Sequence, residues 1–471
     1  MRLLYVAIAT IALLSGCAST GDWSSDTPAK GGSRKATRVN LKNQSVSKVY
    51  APSDNLWLRI RDGFQMEPMN SPLEIEQVRW LSARPDYVNR SMARSSRYLF
   101  YIVQEVNARN MPTEIALLPF VESAFVTNAK SNAKAVGLWQ FMPATGKDFQ
   151  LTQNVFRDER KDILQSTDAA LDYLQRLNNQ FGSWELALAA YNWGAGNVLK
   201  AQKRNQAAGL PTDYESLTMP RETRMYVPKL MAYRQIVLDP EAYGIVLPQL
   251  ENHPYFVAID VDSDIDVALA IKLAEIPEDE FYSLNPSFNK PVILSNANQQ
   301  ILLPFGHAEI FQANLKRFNK PLSTWTAVKV SKTESVDKVA KSLGVDTDSL
   351  RQVNGIPRGM RIKVGSTIII PKTNGRTGDV SSAMADNASL SLEKPPPPAP
   401  KCPKSAKKAK GSKAAKCAPV TPSKGNSSGK STASQHKSAS TGLAKSAKNG
   451  SSPTLKADSS SNGNKGVSKN Q

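Results

Sequence analysis

Pro119-Phe-Val-Glu-Ser-Ala-Phe-Val126, followed by Gly137-Leu-Trp-Gln-Phe-Met-Pro-Ala-Thr-Gly146, is the stretch on which the rest of the chain depends. Glu122 closes the apolar run Ile115-Ala-Leu-Leu-Pro-Phe-Val121. If that run is helical, Ile115, Leu118 and Glu122 share one inward-facing stripe, and a carboxyl group points where a hydrophobe is expected. Among Phe120, Val121, Phe125, Trp139 and Phe141 it would be poorly hydrated, and desolvation raises the pKa of an acid. Such a group keeps its proton near neutral pH and can donate it to a leaving oxygen. The run alone leaves a second reading open, a helix-end glutamate whose head reaches water.

Further polar and aromatic residues follow in order: Ser131, Gln140, the pair Tyr191-Asn192 and Tyr226. Glu122-Ser-Ala-Phe125, the Gly137 to Gly146 segment, Ala190-Tyr-Asn-Trp-Gly-Ala-Gly196 and Glu222-Thr-Arg-Met-Tyr-Val227 resemble the catalytic motifs of family 1 lytic transglycosylases in order and approximate spacing. The resemblance implies a mainly α, lysozyme-like catalytic domain. It makes Glu122 the catalytic residue, with Ser131, Gln140, Met142, Tyr191, Asn192 and Tyr226 binding substrate and Tyr226 lying against the catalytic carboxyl. Trp139 and Phe141 fit either a core or a sugar-stacking face, and Tyr226 could also be a core tyrosine with a satisfied hydroxyl.

Glycoside hydrolases normally use two carboxyl groups, the second about 5 Å from the acid as a nucleophile or about 6.5 to 9.5 Å away as a base. Asp148, Asp158, Glu185 and Glu222 are available, but none lies in a matched motif at a position the family uses for a second acid. One carboxyl suffices if the nucleophile belongs to the substrate. The resemblance implies that Glu122 protonates the β-1,4 glycosidic oxygen between N-acetylmuramic acid and N-acetylglucosamine in peptidoglycan. Its carboxylate then deprotonates the C6 hydroxyl of the same muramoyl residue, closing a 1,6-anhydro ring. Tethering gives that hydroxyl an effective concentration above that of a bound water. Ser131 and Gln140 would hydrogen-bond the substrate near the developing oxocarbenium ion. No metal and no organic cofactor is required.

Around this stretch the pattern is helical from Leu56 to about residue 240, and the catalytic domain is placed at 56–245. Leu56, Ile60 and Phe64 recur at helical spacing; one helix is expected from Asp86 through Tyr98, Tyr101, Ile102 and Val106; and Pro112-Thr-Glu opens the Glu122 helix. Ser166 or Thr167 is the expected cap of a helix burying Ala170, Leu171, Leu174 and Leu177 and stopping at Gly182. Ser183 starts the helix that ends at Gly194.

After residue 250 an internal repeat appears. An offset of 69 superposes Val267 on Val336, Ala270 on Val339, Ile276 on Val345 and Asn285 on Asn354, and both copies close on an apolar strand ending in proline, Ile301-Leu-Leu-Pro304 and Ile368-Ile-Ile-Pro371. Each copy reads as a β-α-α-β unit. The second copy, with Val345-Asp-Thr-Asp-Ser-Leu-Arg-Gln-Val-Asn-Gly355 and Gly365 before its last strand, resembles a LysM module, which binds N-acetylglucosamine in glycan chains. The first has Asn285-Pro286 in place of Asn354-Gly355 and looks like a degenerate LysM, either a sugar binder or a packing spacer. The modules are placed at 254–306 and 324–372.

At the start of the chain, Arg2, the apolar stretch Leu3 to Leu14 and Leu14-Ser-Gly-Cys17 suit a secretory leader rather than a membrane span. They resemble a bacterial lipobox, implying a signal peptide over 1–16 and lipidation of Cys17. Ala18 then implies an outer-membrane lipoprotein facing the periplasm. Residues 17–55 carry few large apolar side chains and read as a flexible tether. Residues 373–471 contain no Phe, Trp or Tyr and carry seventeen Lys or Arg against four Asp or Glu, a net +13 of the chain's +19. They read as a disordered tail suited to anionic envelope polymers or left solvated, not to nucleic acid, which an exported chain rarely meets. Cys402 and Cys417 fall in that tail, and His253, His307 and His436 are scattered, so neither a disulfide framework nor a metal site is expected. The whole reads as a lipoprotein enzyme of the family that carries LysM behind its catalytic domain. A goose-type lysozyme-like hydrolase and a noncatalytic peptidoglycan-binding lipoprotein remain as alternatives.

Overall fold

The computed structural model describes residues 55–295, 300–373 and 378–395. Cys17, the expected leader, nearly all of the tether and the chain beyond residue 395 lie outside the described residues.

The first body is helical: α1 (Leu56–Asp62), α2 (Pro72–Ser82), α3 (Pro85–Ser95), α4 (Leu99–Ala108), α5 (Leu118–Glu122), α6 (Pro143–Asp148), α7 (Ile163–Phe181), α8 (Trp184–Trp193), α9 (Ala195–Ala207), α10 (Arg221–Arg224) and α11 (Tyr226–Leu238). Their inner faces share one apolar cluster in which Trp57, Phe120, Phe125 and Trp139 are fully buried. Helix starts follow capping chemistry, with Asn55, Ser71 and Ser183 side chains accepting first-turn amides. Gly182, left-handed at φ +70°, stops α7 as its position predicts.

Three local expectations are corrected. The helix expected from Asp86 to Val106 breaks between Ser95 and Leu99. There Ser91, Ser95 and Ser96 turn their hydroxyls onto the carbonyls of Val88, Met92 and Ala93 at 2.7–2.8 Å, local bonds that compete with the helical ladder. The cap of α7 is Asp162, which accepts from Leu164 and Gln165 N–H, while Ser166 and Thr167 bond back to the carbonyls of Asp162 and Ile163 inside the helix. The run leading to Glu122 is a 3-10 helix over Thr113–Leu117 joined to α5, because Pro119 has no N–H to continue the ladder.

The first repeat contains β1 (Phe256–Asp260), β2 (Ile265–Asp266), α12 (Val267–Ala274), α13 (Glu278–Leu284), β3 (Val292–Ile293), β4 (Gln300–Pro304) and α14 (Phe305–Arg317). The second contains β5 (Trp325–Lys329), β6 (Glu334–Ser335), α15 (Val336–Leu343), α16 (Thr347–Asn354), β7 (Arg361–Ile362) and β8 (Thr367–Pro371), after which come α17 (Ser382–Asp386) and β9 (Leu392–Glu393). β1 pairs antiparallel with β4, Phe256 opposite Pro304; β5 pairs likewise with β8, Trp325 opposite Pro371. Asn285 and Asn354 make the same three bonds. Each donates to a carbonyl one turn back (Phe281 or Leu350, 2.9 Å) and to the last strand (Leu302 or Ile369, 2.8 Å), and accepts that strand residue's N–H. Helix α14 is an addition to the first copy, burying Ala308 and Phe311 against it, so that module runs past residue 306.

The tail begins later than expected. Residues 378–395 are folded: β9 pairs with β7, and Val380 N–H donates to the buried Asp264 at 2.8 Å. Val380, Ala385 and Ala388 join Phe156 of the helical body, Val292 and Leu294 of the first module and Ala327 and Ile369 of the second in one apolar cluster. Arg97–Glu280 (2.7 Å), Tyr98 Oη to the Ser283 carbonyl (3.0 Å) and Ser287 Oγ to Asp162 (3.1 Å) also tie the first module to the helices. Among the described residues no helix is long and apolar enough to cross a membrane.

Candidate active site

Glu122 is the last residue of α5, and the chain behind it turns sharply: Ala124 and Phe125 both lie in the left-handed region, at φ 49° and 58°. Non-glycine residues are disfavoured there by about 1 kcal/mol or more each. Two contacts hold the turn, Arg94 Nε donating to the Ala124 carbonyl at 2.8 Å and the Phe125 ring packing 4.5 Å from that of Phe120. The carboxyl group is thereby set against Tyr226 at the start of α11, whose hydroxyl donates to Glu122 Oε1. Burial pushes the Glu122 carboxyl up to about 7; the Tyr226 hydrogen bond and Lys229 pull it down, and the negative Glu222 nearby pushes it further up. Burial, followed by the Glu122 charge, also holds Tyr226 well above its ordinary range, so the phenol stays a neutral donor. The Glu122 head is thus part-buried and hydrogen-bonded by Tyr226, not the fully solvated helix-end group of the second reading.

The segment from Ser131 to Gly146 forms the neighbouring wall. Ser131 Oγ accepts the Ala135 N–H at 3.0 Å, leaving its hydroxyl hydrogen to point elsewhere. Gly137, at φ +85°, passes so close to Arg160 that a Cβ would lie 2.2 Å from that residue's carbonyl oxygen. Trp139 is wholly buried, its Nε1 donating to Thr167 Oγ1 at 3.0 Å, which decides its role for the core. Gln140, left-handed at φ 49°, donates from Nε2 to the carbonyls of Gly137 and Ala129 at 2.8 and 3.4 Å, and its Oε1 accepts no hydrogen bond from the described residues. Met142 stands exposed at the start of α6.

Tyr191 and Asn192 come from the last turn of α8. Tyr191 Oη donates to the Trp139 carbonyl at 2.8 Å, and Ser123 Oγ to that of Leu138 at 2.9 Å, so both fasten the Gly137 segment beside Glu122. The Tyr191 ring is set by Tyr173 and Phe141, with centroids 5.4 and 6.5 Å away. Asn192 Oδ1 accepts from Thr223 Oγ1 at 2.8 Å. Direct hydrogen bonds join Glu122 to Tyr226, and Tyr191 to the backbone of the Gln140 segment; none joins Ser131 or Met142 to Glu122.

Sequence reasoning missed Arg160. It is buried, pairs with Asp158 at 2.8 Å and donates from Nη1 to the carbonyls of Lys134 and Phe141 at 3.0 and 3.2 Å, clamping both ends of the loop. We expect Gly137→Ala, which forces this backbone apart and strains φ, to lower stability by about 2 to 4 kcal/mol and to depress activity more than a surface Gly209→Ala control, both read by thermal melts and murein turnover.

The other acids do not duplicate Glu122. Asp148 is exposed, Asp158 is held by Arg160, and Glu185 takes the Ser183 hydroxyl; exposed Glu222 is the one whose charge reaches Glu122. A single acid that must start protonated gives one limb: kcat/KM should be level in mild acid and fall about tenfold per pH unit above roughly 7. An added rising limb near the ordinary carboxylate range, measured on murein turnover, would require a second, ionised carboxylate.

With this geometry in place, comparison with known proteins is direct. Residues 101–211 match the transglycosylase SLT domain, residues 255–320 the LysM-like domain of lytic transglycosylase MltD, and residues 328–371 the LysM domain. Fold and site thus define an SLT-domain protein with LysM modules behind it. The chain is 32% identical over 388 residues to membrane-bound lytic murein transglycosylase D of Escherichia coli strain K12, covering 79% of this chain and 85% of that one, with the same figures for its counterpart in Escherichia coli O6:H1. The chain belongs to the membrane-bound lytic murein transglycosylase D family. The 70 kDa soluble lytic transglycosylase of Escherichia coli matches over 36% of this chain and 31% of its own at 24% identity and a TM-score of 0.26, too slight a likeness to bear on the fold.

Proposed function

We propose that the protein cleaves the β-1,4 bond between N-acetylmuramic acid and N-acetylglucosamine without water, Glu122 acting first as acid and then as base. As a member of its family it is a lytic transglycosylase acting on peptidoglycan. The supporting observation is the part-buried Glu122 carboxyl, pushed up to about 7 chiefly by burial and hydrogen-bonded by Tyr226. Glu122 gives its proton to the glycosidic oxygen as the bond to C1 breaks. Tyr226 then stabilises the carboxylate, which takes the C6 hydroxyl proton as O6 bonds to C1. The proton count closes, no water is consumed, and the reaction is that of a lyase.

Ser131, Gln140, Met142, Tyr191 and Asn192 would hold the sugar: the hydroxyl of Ser131 and the spare amide groups on its polar atoms, Met142 on an apolar face. The LysM domain keeps the enzyme on its polymer and raises the local concentration of bonds to cut. Lipidation at Cys17 would fix the chain to the outer membrane facing the periplasm, and the lysine-rich tail would meet anionic envelope polymers. Mass spectrometry of fragments released from purified murein tests the reading. Anhydromuramic ends are expected; reducing muramic ends would indicate a goose-type hydrolase, and no release at all a binding lipoprotein.

A further inference from the structure

Thr223 has no part in the chemistry proposed above, yet the fold goes to some length to place it. Its short helix α10 follows Pro220 and is pinned from the preceding loop. Buried Tyr214 donates its hydroxyl to the carbonyls of both Thr223 and Arg224, at 2.8 and 2.9 Å, and the Arg224 guanidinium returns to the carbonyls of Glu215 and Leu217. The threonine side chain is 2% exposed, and its Oγ1 lies 2.8 Å from Asn192 Oδ1.

An asparagine amide can face either way, and its two ends offer opposite chemistry, two donors on Nδ2 and an acceptor at Oδ1. The buried Thr223 hydroxyl hydrogen has no other acceptor among the described residues, and leaving it unpaired is unfavourable. It therefore selects the orientation with Oδ1 towards α10. Nδ2 is then left without a hydrogen-bond partner among the described residues. Asn192 is part-buried at the end of α8, one residue from Tyr191, whose hydroxyl reaches the backbone beside Gln140.

The geometry points to Thr223 as a positioning residue that sets Asn192 to present donors, making this side of the proposed sugar site selective for an acceptor oxygen of the glycan such as an acetamido carbonyl. The inference rests on the proposed function, since it assumes that Asn192 meets the sugar. With Thr223 replaced by valine, the same volume without the donor, the amide rotates freely and its acceptor end competes for the site.

Steady-state kinetics on soluble, uncrosslinked murein glycan strands tests this. Thr223→Val should raise KM about fivefold to tenfold, the scale of one misdirected hydrogen bond. It should leave kcat within about twofold and the pH profile unchanged, and Thr223→Ser should restore the parent KM. Asn192→Ala should give a similar loss, and the double variant no more than either alone. An unchanged KM, losses that add in the double variant, or a fall confined to kcat with a lowered melting temperature would overturn the assignment. A parent protein that leaves the strands uncut would overturn the proposed function, and this assignment with it.

Discussion

Glu122→Gln should cut murein-cleaving turnover by about a thousandfold, within the 10²–10⁴ range of a lost general acid, while the protein stays folded. Glutamine keeps the shape of the side chain and can still accept the Tyr226 hydroxyl, but it can neither protonate a leaving oxygen nor recover a proton from C6. A distinct stability signature accompanies the loss. The folded-state carboxyl titrates near 7, above its ordinary 4.5. The neutral group's contribution to stability is therefore full below about pH 4.5 and is lost as pH rises towards 7, and the glutamine variant suffers no such loss. In melts the variant should match the parent at about pH 4 and exceed it by a few degrees at about pH 8. A variant less stable than the parent at the higher pH would mean that the residue serves structure. Glu222→Gln, by contrast, should leave turnover within a few-fold and move the descending limb of the pH profile to lower pH, since the Glu222 charge holds Glu122 up.

Glu114→Ala should have the opposite character, a large loss of stability from an acid with no part in the chemistry. Glu114 is wholly buried; it accepts the Gln65 and Met66 N–H groups at 3.1 and 3.0 Å and pairs with Arg234 Nε at 3.1 Å. Burial raises its pKa as well, but these donors satisfy the carboxylate where it sits. Truncation strands two backbone donors and the mostly buried Arg234 guanidinium, and breaking such a pair destabilises by about 3 to 5 kcal/mol. A fall in melting temperature of roughly 10 °C is expected, with activity reduced in proportion to the folded fraction. A fall of only a degree or two would show that the Arg234 pair adds nothing. Two glutamates eight residues apart thus separate by partners: Glu114 is surrounded by donors, as a structural carboxylate needs, whereas Glu122 has one donor, as the proposed acid needs.

The burial around Glu122 was legible because Phe120 before it and Phe125 after it are close in sequence and pack on each other in the core. Its partner was not: Tyr226 lies 104 residues away, and only the motif resemblance brought the two together. Arg160 and Thr223 left no trace for a different reason. Arg160 acts largely on backbone carbonyls, which every residue carries, and Thr223 on a single amide, so no side-chain pattern marks either. The repeat was readable at 69-residue offset because Asn285 and Asn354 do identical work in each copy. Residues 378–395 misled because Ser, Ala and Pro predict disorder when a segment must bury itself. Val380, Ala385 and Ala388 instead fill a cluster whose other members come from three separate parts of the chain. The break between α3 and α4 was hidden because serine hydroxyls bonding back to carbonyls interrupt a helix without altering its apolar spacing.

The most direct test of a single carboxyl group that lends and recovers one proton while the sugar closes on itself is to run the reaction in water enriched in heavy oxygen and to weigh the muramic ends. No label should enter the product, because O6 of the substrate forms the new bond to C1. One labelled oxygen at each new end would show that water is the nucleophile and that Glu122 works in a hydrolase.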